Sequence, residues 1–335
     1  MERDDVMFAE RRLPGAAAPL HTFEAPTRVL LNEDHGIGDG GLNGLYEKAK
    51  AQQWDAARDL DWSQPHSPTN PLAMPDGTLA IHGTRLWNSM DEATRNQLRH
   101  DIQSWNLSQV LHGEQAALIC AARLAQGEGA LEMKLAAASQ VIDEARHIEA
   151  YARVARTRFA STFAISSPLR ALFGNIVSES RPDFTCLGMQ ILVEGMALSL
   201  FQNLRAYTGC PLFRELLTLV LRDEARHFAI GKLALAQSCA ELDDHGRAER
   251  EEFICESALR LNEHTSASEI WATVGLSKAQ RKELVFDSHV SQNLRRSIFR
   301  RLVPAVRDMG LLGAKARQVF AGLGMLEYAA FPAAA

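Results

Sequence analysis

Two copies of one pentapeptide carry the side chains in this chain that are best suited to chemistry. The string Asp-Glu-Ala-Arg-His occurs at 143–147 and again at 223–227. Residues three apart on an α-helix lie on the same face, so Glu144 can act with His147, and Glu224 can act with His227. Each pair offers one carboxylate and one imidazole to a single point, which indicates a metal site.

A lone glutamate in an apolar run precedes each pentapeptide. The separation between Glu114 and Glu144 is the same as that between Glu194 and Glu224, which indicates two copies of one helix pair. Apolar residues share the helix face of each glutamate: Leu111, Ala117, Leu118 and Ala121 around the first, and Ile191, Ala197, Leu198 and Phe201 around the second. An unpaired carboxylate there would be costly to ionise, and coordination of a cation removes that cost. The alternative is that these residues lie on solvated faces of duplicated helices.

The combined ligand set predicts a dinuclear centre. Its members are Glu114, Glu144, His147, Glu194, Glu224 and His227. Four carboxylates balance two divalent ions, and hard oxygen donors also suit ferric iron. Zinc sites typically use fewer carboxylates and more sulfur or imidazole. We therefore predict two iron ions, while a manganese–iron pair would be accepted by the same ligands.

Helices must position this set, and the pattern predicts an all-α chain. From about residue 97, apolar residues recur at three- and four-residue spacing, and β-branched runs of period two are almost absent. Helices are predicted at 42–59, 97–126, 128–160, 183–208, 211–240, 246–263, 278–310 and 313–325. We expect an irregular N-terminal arm with a short helix over 1–95, a di-iron four-helix bundle over 96–240, and C-terminal helices packed on the bundle over 241–335.

Bulk properties narrow the class of protein. The net charge of −5 over 335 residues gives no drive toward nucleic acid. We expect no membrane span, because no run of about 18 apolar residues is evident, and no secretory signal begins the chain. The five cysteines are scattered and never spaced as CxxC. They predict reduced thiols in a cytoplasmic protein without its own iron–sulfur or structural zinc module.

The residues above resemble the ferritin-like carboxylate-bridged di-iron superfamily. Its members include the hydroxylases of bacterial multicomponent monooxygenases, the small subunit of class I ribonucleotide reductase and the arylamine N-oxygenases. The doubled Asp-Glu-x-Arg-His form is most similar to the multicomponent monooxygenases. The resemblance covers about 97–240 and implies a ferritin-like four-helix bundle that uses dioxygen as co-substrate. The string Gln53-Trp54-Asp55 also looks like the N-terminal arm of such proteins.

The resemblance implies supporting roles for neighbours of the ligands. Asp143 and Asp223 would each accept a hydrogen bond from the ligand histidine of the opposite copy, which would fix its tautomer. Arg146 and Arg226 would form ion pairs beneath the site. The alternative is that these two aspartates and two arginines lie on solvent-exposed helix surfaces.

Three positions bear on which reaction is catalysed. Tyr151 corresponds to the radical tyrosine of ribonucleotide reductase and is a candidate for a redox role; the alternative is a core tyrosine with a hydrogen-bonded hydroxyl. Val220 stands where the arylamine N-oxygenases carry a further histidine. Leu198 stands where toluene-type hydroxylases often carry threonine. Hydroxylation, desaturation and N-oxygenation therefore all stay open.

An apolar pocket beside the metal site is predicted, and it favours an organic substrate over iron handling. Its expected lining is Val110, Leu118, Ile191, Leu198, Phe201, Val220 and Phe228. Such a pocket suits an O2-dependent oxidase or monooxygenase acting on a small or carrier-bound organic substrate. The alternatives are an iron-handling ferroxidase or ferritin-like protein, or a manganese–iron ligand-binding oxidase. An external ferredoxin or reductase is expected as electron donor, since no iron–sulfur spacing or dinucleotide motif is present. A homodimer is left open.

Residues of the last third give weaker signals. His264 and His289 have no ligand spacing and are expected at the surface or at helix caps. The arginines and lysines between 295 and 317 are predicted to form a solvated face packed on the bundle. The alternative is a docking site for an acidic carrier protein, a coenzyme A ester or a reductase.

Overall fold

Helices account for nearly all regular structure in the part of the chain that the computed structural model describes, which is residues 9–13, 20–25, 28–33, 35–38 and 40–332, without the side chain of Gln237. In chain order the α-helices are α1 (Gly41–Ala51), α2 (Arg85–Ser89), α3 (Glu92–Gly127), α4 (Leu131–Arg158), α5 (Ser167–Ser178), α6 (Pro182–Cys186), α7 (Glu194–Tyr207), α8 (Pro211–Ala240), α9 (Asp244–His264), α10 (Ser268–Thr273), α11 (Lys278–Gln280), α12 (His289–Asp308) and α13 (Ala314–Gly322). Two π-helical stretches (Leu187–Val193 and Arg281–Phe286) and two 3-10 turns (Asp76–Thr78 and Leu326–Ala330) complete the helical elements. The predicted all-α class is confirmed.

One small sheet ties the start of the described chain to the bundle. Strand β1 (Arg11–Arg12) pairs antiparallel with β2 (Thr162–Phe163), which follows α4. The backbone N–H of Ala164 also donates to the carbonyl of Glu10 at 2.9 Å. The N-terminal segment is thereby held against the end of a helix that carries ligands.

Local signals set the ends of the helices that carry the site. Asp91 caps α3, since its side chain accepts a hydrogen bond from the Thr94 backbone N–H at 2.8 Å. Pro211 occupies the first position of α8, where proline costs no hydrogen bond because a backbone N–H at this position has no partner within the helix. The predicted helix 42–59 ends early, at Ala51. Beyond it, the Asp55 side chain accepts from the backbone N–H groups of residues 57 and 58 and forms a turn instead.

Two predicted helices are interrupted, and three observed helices (α2, α5 and α10) lie outside the predicted ranges. The segment predicted at 183–208 contains the π-helical turn Leu187–Val193, and the segment predicted at 278–310 breaks before α12. Ser288 starts α12 by accepting a hydrogen bond from the Ser291 backbone N–H. No helix is predicted over 167–178, since Ser166, Ser167 and Pro168 are also typical turn residues; in the structure they start α5, with proline in its first turn.

The four ligand-bearing helices enclose the main core and are covered by others. Helix α3 packs along α4, and α7 packs along α8. Helix α1 lies against both α4 and α8, while α12 covers α7 and α9 packs on α5. Two glycines allow close approaches between packed helical segments. A Cβ at Gly195 would lie 2.5 Å from Leu302, and one at Gly231 would lie 2.5 Å from the Cβ of Gln190.

The segment Pro182–Tyr207 corrects one expectation from the sequence. It is 26 residues long with a mean hydropathy of 1.6 over its most apolar window, so by length and composition it could cross a bilayer. The expectation that no such segment exists was therefore wrong. Of that window, 89% is buried inside the bundle, and a helix that is apolar all round is typical of such a buried position.

Candidate metal centre

The structure brings all six predicted ligands together inside the four-helix bundle. They form two overlapping groups whose ligand atoms lie within 4.8 Å of one another: Glu114, Glu144, His147 and Glu224 in the first, and Glu144, Glu194, Glu224 and His227 in the second. Glu144 and Glu224 belong to both groups. Two carboxylates shared between two ligand sets are what a pair of bridged ions requires.

Both histidines present the same ring nitrogen to the carboxylates. Nδ1 of His147 lies 3.2 Å from Glu144, and Nδ1 of His227 lies 3.1 Å from the other oxygen of the same carboxylate. Their outer nitrogens face aspartates of the opposite repeat: His147 Nε2 lies 3.4 Å from Asp223, and His227 Nε2 lies 3.2 Å from Asp143. An N–H donated outward fixes the tautomer and leaves the Nδ1 lone pair for a cation.

A buried network of ion pairs lies beneath the two histidines. Nη2 of Arg226 donates to Asp143 at 2.7 Å and to Asp223 at 2.8 Å. Arg146 is also paired with Asp143. Burial alone would raise the pKa of Asp223, but hydrogen bonds from His147 and from a tryptophan of the N-terminal arm outweigh burial and lower this pKa. Asp223 is therefore ionised and can accept from the histidine.

The N-terminal arm contributes to this network, a role that the sequence did not reveal. Nε1 of Trp54 donates to Oδ2 of Asp223 at 2.7 Å. The side-chain oxygen of Gln52 accepts from Arg226 at 3.2 Å, and that of Gln53 accepts from an arginine on α4. The resemblance of the Gln53-Trp54-Asp55 string to the arm of di-iron proteins was the only signal, and it did not show which residues touch the site.

An amide pair missed at the sequence level closes the opposite side of the ligand set. Nε2 of Gln140 donates to Glu144 at 2.9 Å and to Glu194 at 3.1 Å. Nε2 of Gln190 in turn donates to Oε1 of Gln140 at 3.2 Å. Both glutamines are fully buried. Gln140 lies one turn before Glu144, so a buried amide on the ligand stripe was the available signal.

The electrostatics of the ligand set fit a pair of cations. Burial, together with the charge of Glu224, raises the pKa of Glu114 and of Glu194 well above the usual value. Burial opposes ionisation of the histidines, yet the surrounding carboxylates raise the pKa of His147 and His227. Without metal, protons thus take the place of cations among four buried carboxylates. Two divalent ions would neutralise the same charges, and the oxygen-rich donors suit iron or manganese.

A cavity of about 400 Å³ reaches from the surface toward the ligands. His289 and Tyr207 lie at its exposed outer end, and Val110, Phe201 and Tyr151 lie at its buried inner end. Its lining is mostly apolar, and no aspartate or glutamate lines it among the described residues. Such a cavity suits a small organic molecule.

A second, smaller space lies between this cavity and the metal ligands. Its volume is about 50 Å³, and Glu114, Glu194 and Glu224 line it. Val110, Leu200 and Phe201 line both spaces. These three side chains therefore stand between the cavity and the carboxylates.

The predicted pocket lining needs correction. Val110 and Phe201 line the cavity, but the other five predicted residues line neither space. Leu118 is half-buried on the outer face of α3, and Val220 is fully buried in the core beside the cavity. The remaining three pack in the core cluster that α12 covers: Ile191, Leu198 and Phe228. Helix periodicity shows which face is apolar, but not which apolar residues another helix will cover.

The structure places the two histidines of the last third beside these spaces. His264 is half-buried, lies 2.9 Å from the Ser166 hydroxyl and stacks on Trp105. It lines the small space beside the ligands. His289 is exposed, as expected, but stands at the cavity mouth. Only the packing of α9 and α12 on the bundle determines these positions.

Tyr151 lies at the inner end of the cavity with its hydroxyl unpaired. The side chain is 1% exposed, and the hydroxyl has no hydrogen-bond partner among the described residues. Its ring centroid lies 6.0 Å from that of Phe201. Burial raises the pKa of Tyr151 well above the usual value, so the hydroxyl keeps its proton. The alternative of an ordinary core tyrosine with a satisfied hydroxyl is not what the structure shows.

Comparisons with known proteins agree with this fold. The dimanganese(II) NrdF of Streptococcus sanguinis is similar over 84% of this chain and 92% of its own, with 14% identity and a TM-score of 0.54. A tyrosine-to-phenylalanine variant of an R2-like ligand-binding oxidase, with an aerobically reconstituted Mn/Fe cofactor, is similar over 77% of this chain and 93% of its own, with 16% identity and a TM-score of 0.50. At these identities the likeness concerns the fold. No curated protein matches the chain.

A family model decides among the groups that the sequence resembles. The model of p-aminobenzoate N-oxygenase AurF matches residues 40–310, which include all six candidate ligands and the arm residues from 40 onward. The match is to the arylamine N-oxygenases, not to the multicomponent monooxygenases that the pentapeptide resembled most, and the predicted di-iron superfamily is confirmed. The chain belongs to the p-aminobenzoate N-oxygenase AurF family and is an O2-dependent di-iron oxidoreductase.

Proposed function

We propose that this protein is a monooxygenase that N-oxygenates a small arylamine bound in the 400 Å³ cavity. The observation that carries the proposal is that this cavity and the carboxylate-lined space lie side by side and share Val110, Leu200 and Phe201 in their linings. An iron-handling bundle needs polar routes for ions, whereas this route is apolar. The family supplies the reaction, since the match is to p-aminobenzoate N-oxygenase AurF. Hydroxylation and desaturation are the competing outcomes.

The reaction needs reducing equivalents from outside the chain. Insertion of one oxygen atom into an N–H bond of the amine gives a hydroxylamine, and the second oxygen atom leaves as water. The balance takes two electrons and two protons in each turnover. We propose that a separate ferredoxin or reductase supplies the electrons.

The chain's own residues hold the ions, orient the substrate and exclude water. The six ligands would hold two iron ions, or a manganese–iron pair, which supply the chemistry that activates dioxygen. The buried inner end of the cavity keeps water from the reacting atoms and fixes the substrate against the carboxylate-lined space. We propose that the Tyr151 hydroxyl donates a hydrogen bond to the substrate there, because it is the one unpaired polar group of that end among the described residues. A redox role for Tyr151 is the alternative.

A metal count combined with an oxygen-uptake assay tests this function. We expect the purified protein to hold about two metal ions per chain, and reduced protein to consume oxygen as p-aminobenzoate or another arylamine gains one oxygen atom. Glu144→Gln should lose metal and turnover, while Glu149→Gln, exposed on the same helix, should keep both. Many irons per chain with no organic product would support the iron-handling alternative. A Glu144→Gln variant that kept full turnover would contradict the proposal.

The remaining expectations concern partners and location. We propose a protein without nucleic-acid or membrane partners that resides in the cytoplasm, supported by five free, buried cysteines.

We also propose a homodimer, supported by the exposed isoleucines Ile119 and Ile142 on α3 and α4, which are 45% and 55% exposed. Light scattering of the protein and of Ile142→Glu tests the dimer, since an unchanged mass in the variant would exclude this face.

A further inference from the structure

The two repeats place different residues at corresponding positions around the ligand set. The offset between the two pentapeptides gives each position of the first repeat its counterpart in the second. Gln140 thus corresponds to Val220, Val110 to Gln190, and Tyr151 to Gly231. We name the group Gln140, Gln190 and Gly231 the amide end, and the group Val110, Val220 and Tyr151 the cavity end. A duplicated bundle could have had two equal ends, but this one does not.

The amide end is closed by packing and by hydrogen bonds. The Gln140 amide donates to both Glu144 and Glu194, and Gln190 holds the Gln140 oxygen. Gly231 lies so close to Gln190 that a Cβ there would be 2.5 Å from the Cβ of the glutamine. None of these three residues lines either space beside the centre.

The π-helical stretch Leu187–Val193 contributes to this closure. Val110 and Glu114 are four residues apart in a regular α-helix, and Gln190 and Glu194 are four apart across the end of the π-helical turn. A π-turn takes more residues than an α-turn, so the same spacing gives a different relative direction. Gln190 is thereby directed toward Gln140, while Val110 lines the cavity.

The cavity end has the opposite character. Val110 and Tyr151 line the 400 Å³ cavity, and Val220 is buried beside them in the same apolar cluster. Val220 occupies the position that corresponds to Gln140. Glu224 therefore lacks the amide donor that Glu144 has at the amide end. The Tyr151 hydroxyl is the polar group that remains, and it is unpaired among the described residues.

We propose that Gln140 is a positioning residue that, with Gln190, closes one of the two repeat-related ends of the metal centre, so that substrate reaches it through the cavity end alone. The proposal rests on the proposed function, because it assigns the side at which that substrate is oxidised. Gln140 acts through Glu144 and Glu194, whose oxygens it holds. It does not itself touch the substrate.

Thiol labelling tests the access route without any turnover. Val110→Cys and Gln190→Cys place a cysteine at the same repeat position on the two ends, and the five native cysteines are buried. In the metal-loaded protein we expect methyl methanethiosulfonate to modify Val110→Cys at least about tenfold faster than Gln190→Cys, because exchange rates depend on access as well as on thiolate character. Intact-mass measurement follows the extent of modification over time. Equal rates for the two variants, or faster labelling of Gln190→Cys, would overturn the proposal.

Metal titration tests the positioning role. Gln140→Met removes both hydrogen bonds to the ligands, and Ser139→Ala is a matched control, because Ser139 is buried next to it and bonds only to the Ala136 carbonyl. Because Glu144 belongs to both ligand groups, we expect Gln140→Met to weaken manganese binding about 10- to 100-fold while the Tm of the metal-free protein stays near wild type. Unchanged manganese affinity, or weaker binding accompanied by a lower Tm of the metal-free protein, would overturn the positioning role.

The two proposals fail in distinguishable ways. If no arylamine is oxidised but the labelling and titration results hold, the proposed function fails and the one-sided access survives. If turnover is found but both ends label equally, the function stands and the access proposal is wrong.

Discussion

Nε1 of Trp54 donates a 2.7 Å hydrogen bond to Oδ2 of Asp223, a residue 169 positions later in the chain. The same carboxylate oxygen lies 3.4 Å from Nε2 of His147. The indole, the aspartate and the ligand histidine therefore form one connected set. The N-terminal arm, which lies outside the four ligand helices, thus helps to aim a metal ligand.

Trp54→Phe should weaken metal binding more than it weakens the fold. Phenylalanine keeps most of the apolar contact but removes the donor to Asp223, so that carboxylate can move away from His147. We expect the metal dissociation constant to rise about tenfold. Trp62→Phe is the matched control, since its indole donates only to the Ala56 carbonyl of the same arm. Metal titration of both variants checks this, and equal affinities would refute the role of the arm.

Tyr151→Phe should separate stability from activity. Because the hydroxyl is buried without a partner among the described residues, its removal should leave the free energy of unfolding unchanged or raise it by about 1 kcal/mol. If the hydroxyl binds the substrate, KM should increase while the metal content stays at two. Urea unfolding and steady-state kinetics measure the two effects. A tyrosyl radical signal in the oxygenated wild type, absent from the variant, would instead support a redox role.

Val110→Phe should obstruct the passage between the cavity and the carboxylate-lined space. Val110 lines both spaces, so a larger ring there must fill one of them. We expect kcat/KM to fall by about tenfold or more, equivalent to about 1.4 kcal/mol or more, with an unchanged metal count. Val290→Phe at the cavity mouth should have a smaller effect. Undiminished turnover in Val110→Phe would mean that the substrate takes another route.

His264 should make the protein less stable in acid. Burial lowers the pKa of His264 to about 4, whereas the unfolded chain takes up this proton near pH 6.5. Between these values the unfolded state binds more protons, so stability falls as the pH falls, by up to about 1.4 kcal/mol per pH unit. His264→Gln should flatten this slope in the metal-free protein, measured by urea unfolding from pH 7 to 5. His245→Gln, exposed at the start of the same helix, should keep it.

The candidate ligand pairs could be predicted because their geometry is local. Glu144 and His147 are three residues apart on one helix, and their repeat at Glu224 and His227 removed most of the ambiguity of a short motif. The helix start at Pro211 was predictable for the same reason, whereas the caps Asp91 and Ser288 and the helix start at Pro168 were missed. Only a few neighbouring residues determine each of these features.

The parts that could not be predicted depend on packing between distant segments. Trp54 reaches the site from an irregular arm, and His264 comes from a helix whose position no spacing encodes. Most of the predicted cavity lining was wrong, because α12 covers Leu198 and Phe228 but leaves Val110 free. The π-helical turn has no composition signal, since its residues fit an ordinary buried helix.

The π-helical turn Leu187–Val193 has a consequence for how this family can vary. A single inserted or deleted residue within it would change the rotation between Gln190 and Glu194, and either the amide pair or the ligand would lose its aim. Relatives that lack this turn should therefore align with a one-residue gap here and should also lack the paired glutamines. The gap and the lost amides would mark, in sequence alone, those members whose centre is open on both sides.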